Sequence, residues 1–198
     1  MPAAAPPAGP VLTGLPPVAR ADARLLVLGS FPGVASLREH RYYAHPRNHF
    51  WRIVAECLGW ASLSALSYPQ RIEAAQAAGL AIWDVFASCQ REGSLDSAIR
   101  SAQPNDLAGL VRGLPGLRGI AHNGAASARV RAVTQALGVP VWALPSTSPA
   151  NARWRLADKC QAWREAFVAC GMGAAGPVRP SAENPAGEKA PIAPSHPV

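Results

Sequence analysis

Four short apolar runs constrain the fold more than any other feature of this chain: Leu25–Gly29, Leu80–Val85, Gly119–His122 and Val139–Leu144. None alternates apolar with polar residues. A strand that shows water on one face must alternate, so these runs describe strands covered on both faces. The segments between them read as helices, with Asn48 as a plausible N-cap for a helix running to about Leu58. Further helical patterns fit Pro69–Ala78, Pro104–Arg112, Ala125–Leu137 and Ala150–Ala169. In the last, Leu156, Cys160, Trp163, Phe167 and Cys170 step by four and three and share one face. Strands alternating with helices predict a three-layer α/β/α sandwich around a central, mostly parallel four-stranded sheet.

The flanks differ in composition. Met1 to Ala23 is rich in Ala and Pro, and from Gly171 onward Gly, Pro, Ala, Ser and charged residues dominate. Neither flank shows helix or strand periodicity. The expected organisation is a disordered tail over 1–23, one domain over 24–170 and a second tail over 171–198. The N-terminus lacks the basic start and apolar run of a signal peptide, and no apolar stretch is long enough to span a membrane. A cytoplasmic protein is therefore expected.

Charge narrows the partner. The 198 residues carry a formal net charge of +7, almost all of the cations being arginine; the lysines are Lys159 and Lys189. An Arg-rich basic chain suits a phosphate-bearing partner, although charge alone fits any soluble basic protein equally well. Cys57, Cys89, Cys160 and Cys170 have neither C-x-x-C nor zinc-type spacing and read as small core residues. No metal, iron–sulfur cluster or other cofactor is expected.

Ligands of such sheets bind beyond the carboxyl ends of the strands. That rule selects Gly29-Ser30-Phe31-Pro32-Gly33, the stretch around Asp84, His122-Asn123-Gly124 and Leu144-Pro145-Ser146-Thr147-Ser148-Pro149-Ala150-Asn151. A further segment, Tyr42-Tyr43-Ala44-His45-Pro46-Arg47-Asn48-His49-Phe50-Trp51, crowds aromatic, basic and amide groups at a loop-to-helix junction. Aromatics can stack an unpaired base and Arg can hold phosphate. Each motif also has a plainer reading: Phe50 and Trp51 as core, Asn48 as a cap, Asp84 as a backbone cap, and the proline loop as a turn before the last helix.

Taken in order, the G-S-F-P-G turn, H-P-R-N-H-F-W segment, W-D-V strand end, H-N-G strand end and P-S-T-S-P-A-N loop resemble the uracil-DNA glycosylase superfamily over about Leu25 to Phe167. Together with R-E-G-S-L-D after W-D-V, they are most similar to its hypoxanthine (deoxyinosine) branch. The resemblance implies a base-excision enzyme, expected to be a monomer and, from its lysine positions, monofunctional. It would act on double-stranded DNA containing a damaged base, flip the deaminated base out of the helix and hydrolyse its N-glycosidic bond. It assigns Asn48 as the catalytic amide that orients water. Gly29, Ser30, Phe31, Pro32, Asp84 and Asn123 would bind the base, and His45, Arg47, Ser146, Thr147, Ser148, Pro149 and Asn151 the DNA.

The chain departs from the family pattern twice. Phe31 stands where the best-known branches carry a water-activating Asp or Asn, and Leu144 where many carry a catalytic His. Phe31 then reads as a stacking platform, and His45 or His122 as a substitute leaving-group stabiliser. Asp84 can accept from hypoxanthine N1–H and would repel the adenine N1 lone pair. Lys189 lies in the tail and Lys159 is expected mid-helix, far from every strand end, so no amine is placed for lyase chemistry. The alternatives are a uracil or xanthine glycosylase of the same superfamily, or a non-catalytic binder of damaged or mismatched DNA.

Overall fold

The computed structural model describes residues 10–173. In chain order the elements are β1 (Val11–Thr13), β2 (Leu25–Gly29), α1 (Val34–Glu39), α2 (Phe50–Leu58), α3 (Tyr68–Ala77), β3 (Leu80–Asp84), β4 (Phe86–Gln90), β5 (Arg100–Pro104), α4 (Leu107–Arg112), β6 (Gly119–Asn123), α5 (Ala125–Ala128), α6 (Arg131–Gln135), β7 (Val141–Leu144) and α7 (Leu156–Ala169).

The expected four strands form one sheet in the order β3-β2-β6-β7, every pairing parallel. Every residue of β2 is buried, and successive side chains leave by opposite faces, as the pleat requires. Leu25 and Val27 join a core with Phe50, Ile53, Val54, Trp163 and Phe167 from α2 and α7. Leu26 and Leu28 join a second core with Leu107, Leu114 and Ile120. This double burial is why the strand sequences do not alternate. All four cysteines are buried and free. Among the described residues, no helix is long and apolar enough to cross a membrane.

Several boundaries move. Residues 10–23, expected as part of a tail, belong to the folded body. Leu15 is buried, and Val18 exchanges two backbone hydrogen bonds with Ile82, of 2.9 and 2.8 Å. This pairing covers the outer edge of β3, which would otherwise present unpaired backbone groups. At the other end Met172 is buried in the first core, so the fold reaches past Cys170. The rest of the expected tails, 1–9 and 174–198, lies outside the described residues. The helix expected over Pro104–Arg112 begins at Leu107, with Asp106 as its side-chain cap, because Pro104 ends β5. The helix expected over Ala125–Leu137 is two short ones, and the last helix starts at Leu156 rather than near Ala150.

A second sheet, β1-β4-β5, is antiparallel and was not expected from the sequence. The chain passes into it directly from β3, and Val85 and Phe86 donate to the Gly29 and Ser30 carbonyls at 2.9 and 3.1 Å. Its role is positional: it carries Arg91 and the 94–96 turn to the carboxyl end of β2.

Candidate active site

One cavity of about 150 Å³ opens at the carboxyl ends of β2, β3, β6 and β7. A space of about that volume accepts one small planar ring system. It is lined by all the expected site residues except Arg47 and Asn151. Arg47 is exposed, and Asn151 turns inward, its Nδ2 donating to the Ser146 carbonyl at 3.1 Å.

Phe31 is buried on the cavity wall. The Arg91 guanidinium stacks 5.1 Å from its ring centroid and donates to the Pro32 carbonyl. Arg91 thus backs one face of the ring and fixes the turn that carries it. Ser30 donates to Asp96, which also lines the cavity. Arg91, Ser94, Asp96 and Tyr43 are site groups to which the sequence assigned no individual role, although R-E-G-S-L-D held three of them and the aromatic segment before Asn48 the fourth.

Asp84 lies at the end of β3, 4 % exposed, and its Oδ2 has no hydrogen-bond partner. Burial pushes its pKa up to about 7; Arg91 pulls the other way and Asp96 adds to the rise. Tyr43 sits beside it in the left-handed region, φ 55°, with its ring stacked 3.8 Å from Phe50. Its hydroxyl is also buried without a hydrogen-bond partner, and burial holds its pKa well above the ordinary tyrosine range. The cavity wall therefore offers a bare acceptor and a bare donor together. Unsatisfied buried groups are rare and costly, and a ligand edge of matching polarity would satisfy both.

Gly29 makes room for this arrangement. A Cβ there would lie 2.2 Å from Asp84 Oδ1. Gly29→Ala is expected to push the carboxylate out of place, cost about 1–3 kcal/mol of stability by overpacking, and abolish base excision. A thermal melt and an excision assay check both effects.

Asn48 is half-buried on the cavity rim. By backbone geometry His49, not Asn48, is the cap residue of α2. Asn48 Oδ1 nevertheless accepts from Phe50 N–H at 2.9 Å. The bond fixes which end of the amide is oxygen, and leaves one oxygen lone pair and the NH₂ group uncommitted. His45 also lines the cavity, with Nδ1 accepting from Arg47 N–H at 3.2 Å.

The proline loop after β7 is held rigidly from behind. Asn123 spends both ends of its amide on Thr147: Nδ2 donates to Oγ1 and Oδ1 accepts from the backbone N–H, each at 2.9 Å. Asn123 thus braces the loop and still lines the cavity, with its second N–H and second oxygen lone pair uncommitted to Thr147. His49 N–H donates to the Thr147 carbonyl and Trp163 Nε1 to the Pro145 carbonyl, both at 3.0 Å. Lys159 donates to the Asn151 carbonyl at 3.0 Å and is fully buried. It underpins this loop, rather than lying remote from every strand end as its mid-helix position suggested. Ser146 and Ser148 Oγ each accept a backbone N–H at 3.2 Å, which leaves their hydroxyl protons for an incoming anion.

His122 is not available as a leaving-group stabiliser. It is fully buried, and burial with nearby Arg131 pushes its pKa down to about 4. Ser127 gives its proton to the Leu28 carbonyl at 2.7 Å, so His122 Nδ1 donates to Ser127. That leaves Nε2 of the neutral ring as an acceptor for Thr134, whose single proton also reaches the Arg131 carbonyl at 3.0 Å; both ring contacts are 2.8 Å. The residue stitches β6 to α5 and α6.

This geometry can be set beside known proteins. Residues 16–168 match the family model of the Uracil DNA glycosylase superfamily. A Hypoxanthine DNA glycosylase of Methanosarcina barkeri is 36% identical over 154 residues, 78% of this chain and 96% of that protein. A second Hypoxanthine DNA glycosylase, from Methanosarcina acetivorans, is 36% identical over 141 residues, 71% and 89% of the two chains. A solution NMR structure from Methanosarcina acetivorans, provisionally assigned as a uracil DNA glycosylase, superposes with a TM-score of 0.70. It shares 33% identity and covers 79% of this chain and 98% of that one. Set with these matches, the cavity at the carboxyl ends of the parallel sheet, rimmed by a pinned proline loop, is that of a DNA glycosylase. The chain belongs to the uracil-DNA glycosylase superfamily.

Proposed function

We propose that the protein is a monofunctional hypoxanthine-DNA glycosylase that acts on duplex DNA as a monomer in the cytoplasm. The observation that carries this reading is the bare pair of Asp84 and Tyr43 in a ring-sized cavity. Hypoxanthine presents an N1–H donor beside an O6 acceptor, so the Asp84 carboxylate accepts from N1–H while the Tyr43 hydroxyl donates to O6. Adenine presents the reverse pattern: its N1 lone pair meets the Asp84 carboxylate, acceptor against acceptor, and it offers the Tyr43 hydroxyl no carbonyl to donate to. The names of the Methanosarcina relatives support the same base.

In this reading the extruded base stacks on Phe31, backed by Arg91. The C1′–N9 bond breaks with its electron pair passing to the base, and the sugar becomes oxocarbenium-like. The Tyr43 hydroxyl stabilises charge gathering on O6, and the Asp96 carboxylate faces the developing cation. Water held by Asn48 adds to C1′, and the proton it sheds goes to the departed base anion, giving an abasic sugar and neutral hypoxanthine. Ser146 and Ser148 donate to the DNA backbone, with Thr147 and Pro149 shaping the loop that Asn151 braces. Arg47, exposed beside it, adds charge attraction for phosphate.

Excess protein incubated with duplexes holding one deoxyinosine, uracil or xanthine tests this. The expected result is alkali-dependent cleavage at deoxyinosine, with no strand break before alkali. Cleavage chiefly at uracil would keep the superfamily but sink the hypoxanthine reading, since uracil shares the N–H/C=O edge. Binding without turnover would favour a non-catalytic damage binder, and breaks before alkali would refute monofunctionality.

A further inference from the structure

A second, larger groove of about 530 Å³ lies behind the Tyr42–Asn48 segment and shares Tyr42, Tyr43, His45 and Asn48 with the first cavity. Its far wall comes from α2, α3 and the turn between them and carries Arg52 and Arg71, while Arg41, between α1 and the Tyr42–Asn48 segment, lines the near side. Among the described residues none of these three has an ion-pair partner, whereas Glu39, the acid in the lining, is already paired with Arg38 at 3.1 Å.

The arginines are also partly positioned. The Arg71 guanidinium lies 5.3 Å from the Trp51 ring centroid and donates to the Ser64 and Leu66 carbonyls at 3.1 and 3.0 Å. Arg41 lies 5.7 Å from the Tyr68 ring centroid. Aromatic support reduces the entropy lost when a guanidinium takes a ligand. Uncompensated positive charge in a concave wall selects an anion, and planar guanidinia suit phosphate oxygens.

We propose that this groove is a second DNA site, which binds backbone phosphates of the strand carrying the extruded nucleotide, beside the base cavity. The proposal rests on the reading that the cavity holds an extruded base, because the shared wall then places flanking phosphates at the groove. The groove contributes affinity and register, not chemistry. Arg41 and Arg52 take the phosphates, and Arg71, tied to the turn, shapes the wall between them.

The test compares the parent protein with R41Q/R52Q and with R112Q/R118Q. The latter pair removes equal charge outside the groove, at the end of α4 and just before the amino end of β6. Fluorescence anisotropy gives the affinity for a deoxyinosine duplex across a salt series, and single-turnover assays give the plateau excision rate. Removing one arginine–phosphate interaction lowers the slope of log affinity against log salt by about 0.9. R41Q/R52Q is therefore expected to lower it by about 1.8, with an unchanged plateau rate and a folded melt. The parent's advantage should shrink roughly tenfold between 50 and 200 mM salt.

A slope change no larger than that of R112Q/R118Q overturns the proposal, as does a fallen plateau rate at unchanged affinity. Inorganic phosphate replacing chloride at equal ionic strength separates the sources. If it weakens parent binding but not that of R41Q/R52Q, phosphate and DNA compete for the groove, as expected; if it raises the parent's melting temperature but not that of R41Q/R52Q and leaves parent DNA affinity unchanged, the groove is a free-anion site instead. Anisotropy reads the groove whether or not any base is excised, so failure of the glycosylase reading and failure of this one remain distinct.

Discussion

Asn48→Ala is expected to slow single-turnover excision of hypoxanthine by about 100- to 1000-fold, the scale set by removing a water-positioning group. Its cost in stability should be far smaller. The substitution removes one acceptor from the Phe50 N–H, worth about 1 kcal/mol at a helix start. The two roles separate in Asn48→Asp, which restores a cap acceptor but offers no amide donor. A thermal melt read beside the plateau rate decides. If Asn48→Asp recovers both stability and rate, a side-chain oxygen suffices for capping and for holding water. If it recovers stability alone, the amide itself works on water.

Asp84→Asn should make the protein more stable and less selective. Burial raises the Asp84 pKa from 3.8 to about 7, so ionising it costs more in the folded than in the unfolded state. The sign follows for an acid with a raised pKa: the parent loses stability as pH climbs from about 4 to 7, and no more above that. At one pKa unit per 1.36 kcal/mol, Asn at this position gains about 4 kcal/mol at pH 8, and the gain vanishes near pH 4. Melts of parent and variant across this range check it; curves that stay parallel would show that Asp84 does not ionise alone in its site.

Selectivity should move with the same proton. The groups facing Asp84 are Arg91, Asp96 and Tyr43. Above pH 7 the carboxylate only accepts, and it rejects adenine N1. Below pH 7 the carboxyl can also donate, so discrimination between inosine and adenine should shrink by about 10- to 100-fold, the worth of 1–3 kcal/mol of hydrogen bonding. Asp84→Asn should show the shrunken ratio at every pH. The ratio of excision rates on paired duplexes measures it.

The central sheet was readable because parallel strands buried on both faces must be apolar throughout. Leu25–Gly29 carries that signature almost by necessity. The cavity followed, since the strand ends converge there and the motifs sit at strand ends. The small sheet was hidden for the opposite reason: Arg100–Pro104 is polar and largely exposed, and its strand character comes from pairing with β4 rather than from its own side chains. Leu15 and Val18 were masked by neighbouring prolines. Arg91 and Asp96 were missed because their roles depend on where β4 delivers them. The position of Lys159 did carry a signal: it precedes Trp163 by four residues, on the face that α7 buries. The commitment of Asn123 to Thr147 depends on two strand ends meeting, which no local pattern encodes.

The proline loop, tied back by Asn123, His49, Trp163 and Lys159, has little freedom to yield. When a stiff wedge meets a duplex, the deformation falls on the softer body, here the DNA. Part of the choice of target is then made by the mechanics of the nucleic acid: a site whose pairing and stacking are already weakened bends around the wedge at less cost than an intact one. The protein acts in this respect as an anvil, testing the compliance of each base pair before any atom of the base is read.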